Sequence, residues 1–153
     1  MRRMATILAV VALVVTFSSG VALAAFEYSI TGTDHTDIFT GTDKAEQISG
    51  LGGGDQINGG GGDDLVEGGK GSDEVADGLG QDTVYGGAGK DNLIGEGGDT
   101  SLDHFYAGSG DDILQPRDVP AVKDVINCGP GTDKVYADQA DVVRDNCEQV
   151  SVR

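Results

Sequence analysis

A nine-residue period constrains this chain more than any other feature. From Gly50 to Ile94 it cuts into GLGGGDQIN, GGGGDDLVE, GGKGSDEVA, DGLGQDTVY and GGAGKDNLI. The fourth position is Gly in all of these, the sixth is Asp, and the eighth is Ile, Val or Leu. So short a unit cannot bury an apolar face alone, and a fixed period of this kind marks stacked copies of one small element. Upstream, GTDHTDIFT (32–40) and GTDKAEQIS (41–49) keep the register, with Asp37 and Glu46 at the sixth position and Phe39 and Ile48 at the eighth. Downstream, three residues are inserted at 95–97 and three more at 116–118. The pattern resumes after each insert, with Asp103, Asp112, Asp124 and Asp133 at the sixth position. Phe105, Leu114, Ile126 and Val135 then hold the eighth. A disordered Gly/Asp tract needs no such apolar register.

Each unit reads as a turn of six residues rich in Gly and Asp, followed by a three-residue strand. Glycine takes the positive φ values of a tight turn and lets backbone approach closely. In a strand, side chains alternate between faces, so the eighth residue points inward and its neighbours outward. One unit reverses the chain and two make a full coil of 18 residues. Asp55 is therefore expected to stack near Asp73 and Asp91, and Asp64 near Asp82. Coils at strand spacing lie about 4.8 Å apart, and two carboxylates that close repel unless something sits between them. Ca²⁺ accepts six to eight oxygen ligands, which carboxylates and turn carbonyls from two coils can supply. Hard oxygen donors exclude zinc and copper as the preferred ion. Mg²⁺ fits less well, because it demands octahedral geometry and keeps its waters. The alternative is a metal-free solenoid, for which a neutral Asn or Thr at the sixth position would serve without the repulsion.

The units resemble the RTX, or haemolysin-type calcium-binding, nonapeptide repeat G-G-x-G-x-D-x-U-x, in which U is apolar. Residues 59–67, 68–76 and 86–94 match it throughout. The resemblance implies an all-β fold, a right-handed parallel β-roll with Ca²⁺ between adjacent turns. It implies carboxylate ligation by Asp55, Asp64, Asp73, Asp82 and Asp91, with Asp37 and Asp112 continuing the set. It also implies carbonyl ligation by turn glycines such as Gly62, Gly71, Gly80 and Gly89. Asp77 and Ala107 depart from the pattern at the first position, Leu51 at the second, and Glu46 is longer than Asp. The inserts are expected to interrupt stacking.

Residues 1–25 read as a secretory signal peptide. Arg2 and Arg3 precede an apolar run from Ala5 to Val15, and Ala22-Leu23-Ala24 is a small-residue cleavage site. That run is shorter than the roughly 20 residues of a membrane span, so no membrane insertion is expected after cleavage. The calcium-binding repeats then occupy 26–136 and a C-terminal cap 137–153. Export makes a disulfide between Cys128 and Cys147, the only cysteines, the default. It would pin the cap.

The formal net charge is −16, with 26 acidic residues against 10 basic. Such a chain does not neutralise phosphates, so nucleic acid is excluded as a partner; cations are favoured. The histidines, His35 and His104, sit in no G-x-S-x-G or H-E-x-x-H setting. The reading is a secreted, stand-alone calcium-binding protein that folds on binding Ca²⁺ and is not an enzyme. Its role would be structural or adhesive, with an extracellular protein or glycan as partner. The alternative is a secreted hydrolase, or a subunit of a larger extracellular enzyme stabilised by the repeats. An aromatic patch of Tyr85, Tyr106 and Tyr136 would favour the binding role.

Overall fold

The computed structural model describes residues 10–11, 28–96, 100–117 and 121–153. Of the predicted signal peptide, only Val10–Val11 (β1) falls within them, paired antiparallel with β2. Every other pairing is parallel. One sheet carries β2 (Tyr28–Thr33), β4 (Glu46–Gly53), β6 (Leu65–Gly71), β8 (Thr83–Ala88), β10 (His104–Ser109), β12 (Val125–Asn127) and β14 (Val142–Val143), in that order after β1. The second carries β3 (Ile38–Thr40), β5 (Gln56–Asn58), β7 (Glu74–Ala76), β9 (Asn92–Ile94), β11 (Ile113–Gln115), β13 (Lys134–Ala137) and β15 (Gln149–Val152). The chain thus alternates between sheets at every unit and coils into an all-β parallel roll.

The eighth positions form the core. Ile48, Val66, Val84, Phe105 and Ile126 stack along the first sheet. Phe39, Ile57, Val75, Leu93, Leu114 and Val135 stack along the second. All are buried. Strand alternation carries the inward face one step further each way than the apolar pattern shows. The sixth and first positions are also inward, which is why Asp73 and Gly68 are buried beside Val75 and Val66. Only a very small residue fits at a first position such as Gly68. A Cβ on Gly68 would lie 2.7 Å from both Asp73 Oδ2 and the Gly86 carbonyl oxygen of the next coil.

The inserts do not interrupt the stack, contrary to the sequence-based expectation. Val84 pairs with Phe105 and Phe105 with Ile126, each step spanning 21 residues instead of 18. The extra residues are taken up in the turns that lead from the second sheet to the first, where no ladder bond depends on their number. Backbone pairing on either side of each turn is therefore unchanged.

The C-terminal segment continues both sheets as a shortened coil. Val143 pairs with Ile126, and Val150 with Val135. Cys128 and Cys147 are disulfide-bonded with Cα atoms 5.3 Å apart, and Cys128 lies within the apolar core. The bond ties this short coil to the unit below it. Val150 and Val152 remain exposed on β15, so the last coil draws little stability from burial and depends on the crosslink. Replacing Cys128 and Cys147 together by Ser is expected to cost about 3 kcal/mol, the chain-entropy value for a loop of this length. Urea unfolding of the calcium-saturated protein checks it.

Candidate metal centre

The sixth-position acids form two ladders, one at each corner of the roll. In the turns from first sheet to second, the backbone N–H of Asp37, Asp55, Asp73, Asp91 and Asp112 donates to Oδ1 of Asp55, Asp73, Asp91, Asp112 and Asp133 respectively. These bonds are 2.8–2.9 Å long. In the turns from second sheet to first, Glu46, Asp64, Asp82 and Asp103 donate in the same way to Asp64, Asp82, Asp103 and Asp124. Each carboxylate thus spends one oxygen on the coil before it. This bond is local consequence of the parallel register: equivalent residues of successive coils lie side by side.

The second oxygen is the informative one. Oδ2 of Asp55, Asp64, Asp73, Asp91, Asp112 and Asp133 is buried and receives no hydrogen bond. Buried polar groups are ordinarily satisfied, and a row of unsatisfied anionic oxygens needs a partner. Burial pushes the Asp64 and Asp91 carboxyls up to about 7 and that of Asp55 up to about 6. A backbone N–H opposes the rise in each, and neighbouring carboxylates add to it. Asp73, Asp112 and Asp133 are raised as well, first by burial. These residues fit a hard cation: anionic oxygens, closely repeated, desolvated and without protein donors.

The ends of the ladders are built differently. The backbone N–H and hydroxyl of Thr33 donate to Asp37 Oδ2 at 2.7 and 2.8 Å. Thr42 does the same for Glu46, its N–H at 2.9 Å from Oε2 and its hydroxyl on Oε1. At the other end, the Asp138 N–H meets Asp141 Oδ2 at 2.7 Å, while the Asp124 N–H meets Asp141 Oδ1. Donors from the same turn serve these terminal acids.

Among the predicted carbonyl donors, Gly62, Gly71, Gly80 and Gly89 all hold the fourth position with φ between +100° and +139°. Gly71 sits directly over the Gly53 carbonyl oxygen, and Gly89 over that of Gly71. A side chain there would strike the coil below. Leu51 adopts φ +72° at a second position where the repeat asks for Gly; its side chain is exposed.

Sequence reasoning passed over several acids as site residues: Asp124 and Asp133 of the ladders, and also Asp77 and Asp103. Asp77, a departure at the first position, is buried at 1 % exposure, and Asp103 follows the first insert. One oxygen each from Asp77, Asp82 and Asp103 lie within 4.8 Å of one another. Burial, then the Asp103 charge, push Asp77 up to about 8 despite N–H donors from Gly78 and Glu96. The signal available in the sequence was the missing first-position Gly itself.

The three tyrosines do not form one patch. Tyr85 and Tyr106 stack on the first sheet with ring centroids 4.8 Å apart, whereas Tyr136 lies on the second sheet under Arg153.

No curated protein matches the chain. The RTX calcium-binding nonapeptide repeat matches it four times, over residues 31–66, 40–75, 67–102 and 102–115. Those matches span more than half of the 153 residues and coincide with the stacked coils and their carboxylate ladders. The chain therefore belongs to the RTX calcium-binding nonapeptide-repeat family, and its ion is Ca²⁺.

Proposed function

We propose that this protein is a secreted module whose folding is coupled to calcium, with a structural or adhesive role and no catalytic one. The observation that carries the reading is the row of buried Asp oxygens without donors in consecutive coils. Asp55, Asp64, Asp73, Asp82, Asp91 and Asp112 are the carboxylate ligands, with backbone carbonyls of Gly62, Gly71, Gly80 and Gly89 completing the set. Asp37 is left out of it, since Thr33 already serves its carboxylate. Bound Ca²⁺ supplies positive charge and oxygen coordination where the coils bring carboxylates together. The chain's own contribution is to hold these oxygens in register through the backbone bonds on Oδ1.

Secretion is supported by the signal-peptide pattern of residues 1–25 and by the disulfide, which belongs to oxidising compartments. The non-catalytic reading is supported by the placement of the neighbouring Asp103 and His104. Asp103 faces the core and His104 the other side of β10, so they cannot relay a proton to each other. Tyr85 and Tyr106 offer a stacked aromatic surface to an extracellular protein or glycan.

Two measurements test the coupling. Far-UV circular dichroism of the purified chain is expected to pass from coil to β as Ca²⁺ is added, to revert with EDTA, and to respond weakly to Mg²⁺. A β spectrum indifferent to EDTA would show that the roll stands without metal. The second concerns pH. In the metal-free protein, carboxyls raised from 3.8 to about 6 or 7 keep protons that the unfolded chain releases. Their contribution to stability is present below 3.8 and is lost as pH rises through 6 to 7. In EDTA, β content is therefore expected to be higher near about pH 5 than near about pH 7.5. The half-saturating Ca²⁺ concentration should move the other way, falling as pH rises, because ligands bind the ion deprotonated.

A further inference from the structure

We propose that Asp77, Asp82 and Asp103 form a three-carboxylate Ca²⁺ site at the first long turn, and that it is the tightest site in the chain. The proposal rests on the ligand reading of the sixth positions, to which Asp82 and Asp103 belong, and adds a residue that the repeat does not provide. In the other units not preceded by an insert the first position is Gly, as at Gly41, Gly50, Gly59, Gly68 and Gly86, or a small residue, as at Ala107 and Cys128. At 77 alone among the regular units it carries a carboxylate, and that carboxylate is buried.

Three observations converge on the place. Asp82 and Asp103 are consecutive rungs of one ladder, joined by the Asp82 N–H to Asp103 Oδ1 bond at 2.7 Å. Asp77 brings a third carboxylate to them, with one oxygen of each of the three within 4.8 Å of the others. Its Oδ1 is fixed by the N–H groups of Gly78, at 2.6 Å, and of Glu96, at 2.9 Å, while its Oδ2 is buried and receives no donor. Glu96 belongs to the inserted segment, so the insert and the first-position Asp act together. The longer turn holds the extra carboxylate against the ladder.

The charge count sets the rank of the site. A regular gap in the ladder offers two carboxylates to an ion, and this one offers three. Ligand charge and rigidity tune calcium affinity over several orders of magnitude. An additional anion at this distance, in a desolvated setting, strengthens attraction for a divalent cation. Among the described residues no other three acids are brought this close, and their mutual repulsion means that the same feature that makes the site tight makes the turn depend on the ion.

The test is calorimetric titration of Ca²⁺ into the full chain, with native mass spectrometry to count bound ions. Asp77→Asn keeps the side-chain size and an acceptor for Gly78 and Glu96; Asp77→Gly restores the repeat's own residue. The wild-type chain is expected to show one ion bound at least tenfold more tightly than the rest. Both Asp77 variants should lose that step and keep the weaker ones, with the wild-type β spectrum at saturating Ca²⁺. Asp73→Asn, at the opposite corner, should keep the tight step and lose one of the weaker ions. A tight step unchanged in Asp77→Asn and Asp77→Gly, or its absence from a wild-type chain that binds several ions equally, overturns the proposal while leaving the ladder reading intact. A wild-type chain that takes up no Ca²⁺ overturns both.

Discussion

Stacking identical coils at strand spacing places a carboxylate over a carboxylate, and the rest of this structure depends on how that contact is made tolerable. The parallel register gives half of the answer. Each interior acid accepts the N–H of its counterpart one coil back, so one oxygen of every interior rung is tied into the backbone ladder. That bond orients the side chain and, at Asp55, Asp64, Asp73, Asp91, Asp112 and Asp133, leaves the other oxygen buried without a donor. Desolvation of such a group costs more than one shared hydrogen bond returns. The apolar core beside it is thin, a single row of side chains from each sheet. A thin core must offset both the chain entropy and the charge burial, and the proposed coupling of folding to calcium rests on that balance.

The ends of a solenoid pose a separate problem, since a terminal rung has a neighbour on one side only. Here the first two acids are served by a Thr four residues earlier in the same turn, through both its N–H and its hydroxyl. The last rung of one corner, Asp141, takes the N–H of Asp138. Local donors replace the missing coil, and the proposed calcium ligands are rungs of the interior. The GTD opening of residues 32–34 and 41–43 is thus a capping device written into the repeat. It reads as a minor departure from the Gly-Gly start until the hydrogen bonds are seen.

Much of this was legible in the sequence because the period controls two quantities at once, strand position and turn composition. The eighth-position residues from Phe39 to Val135 are buried as the alternation requires, and the Cys128–Cys147 pairing follows from there being two cysteines. The same alternation, run two residues back from Val75, puts Asp73 on the inner face. Treating residues one to six as a turn hid that, because a turn suggests exposure. The inserts were misjudged for a related reason. Three extra residues break a linear pattern, but a coil needs only its strands in register, and a turn absorbs the excess. Tyr136 was grouped with Tyr85 and Tyr106 by unit position alone. Successive units alternate between sheets, and position 136 falls on the other one.

The two corners of the roll are consequently not equivalent. From first sheet to second, the turns beginning at Gly50, Gly68, Gly86, Ala107 and Cys128 all keep the same length, and their acids form the more regular ladder. From second sheet to first, the turns differ: GTDKAE, GGGGDD and DGLGQD, then two lengthened by three residues. A turn can change only if the strands on either side stay paired, and both long turns meet that condition with a 21-residue step. Once one corner holds the coils at a fixed pitch, the other is released from the exact repeat. Asp77 stands at that released corner, at the step where the first insert begins. The regular corner sets the geometry of the roll, and the irregular corner is where its carboxylates are free to depart from the two-per-gap pattern.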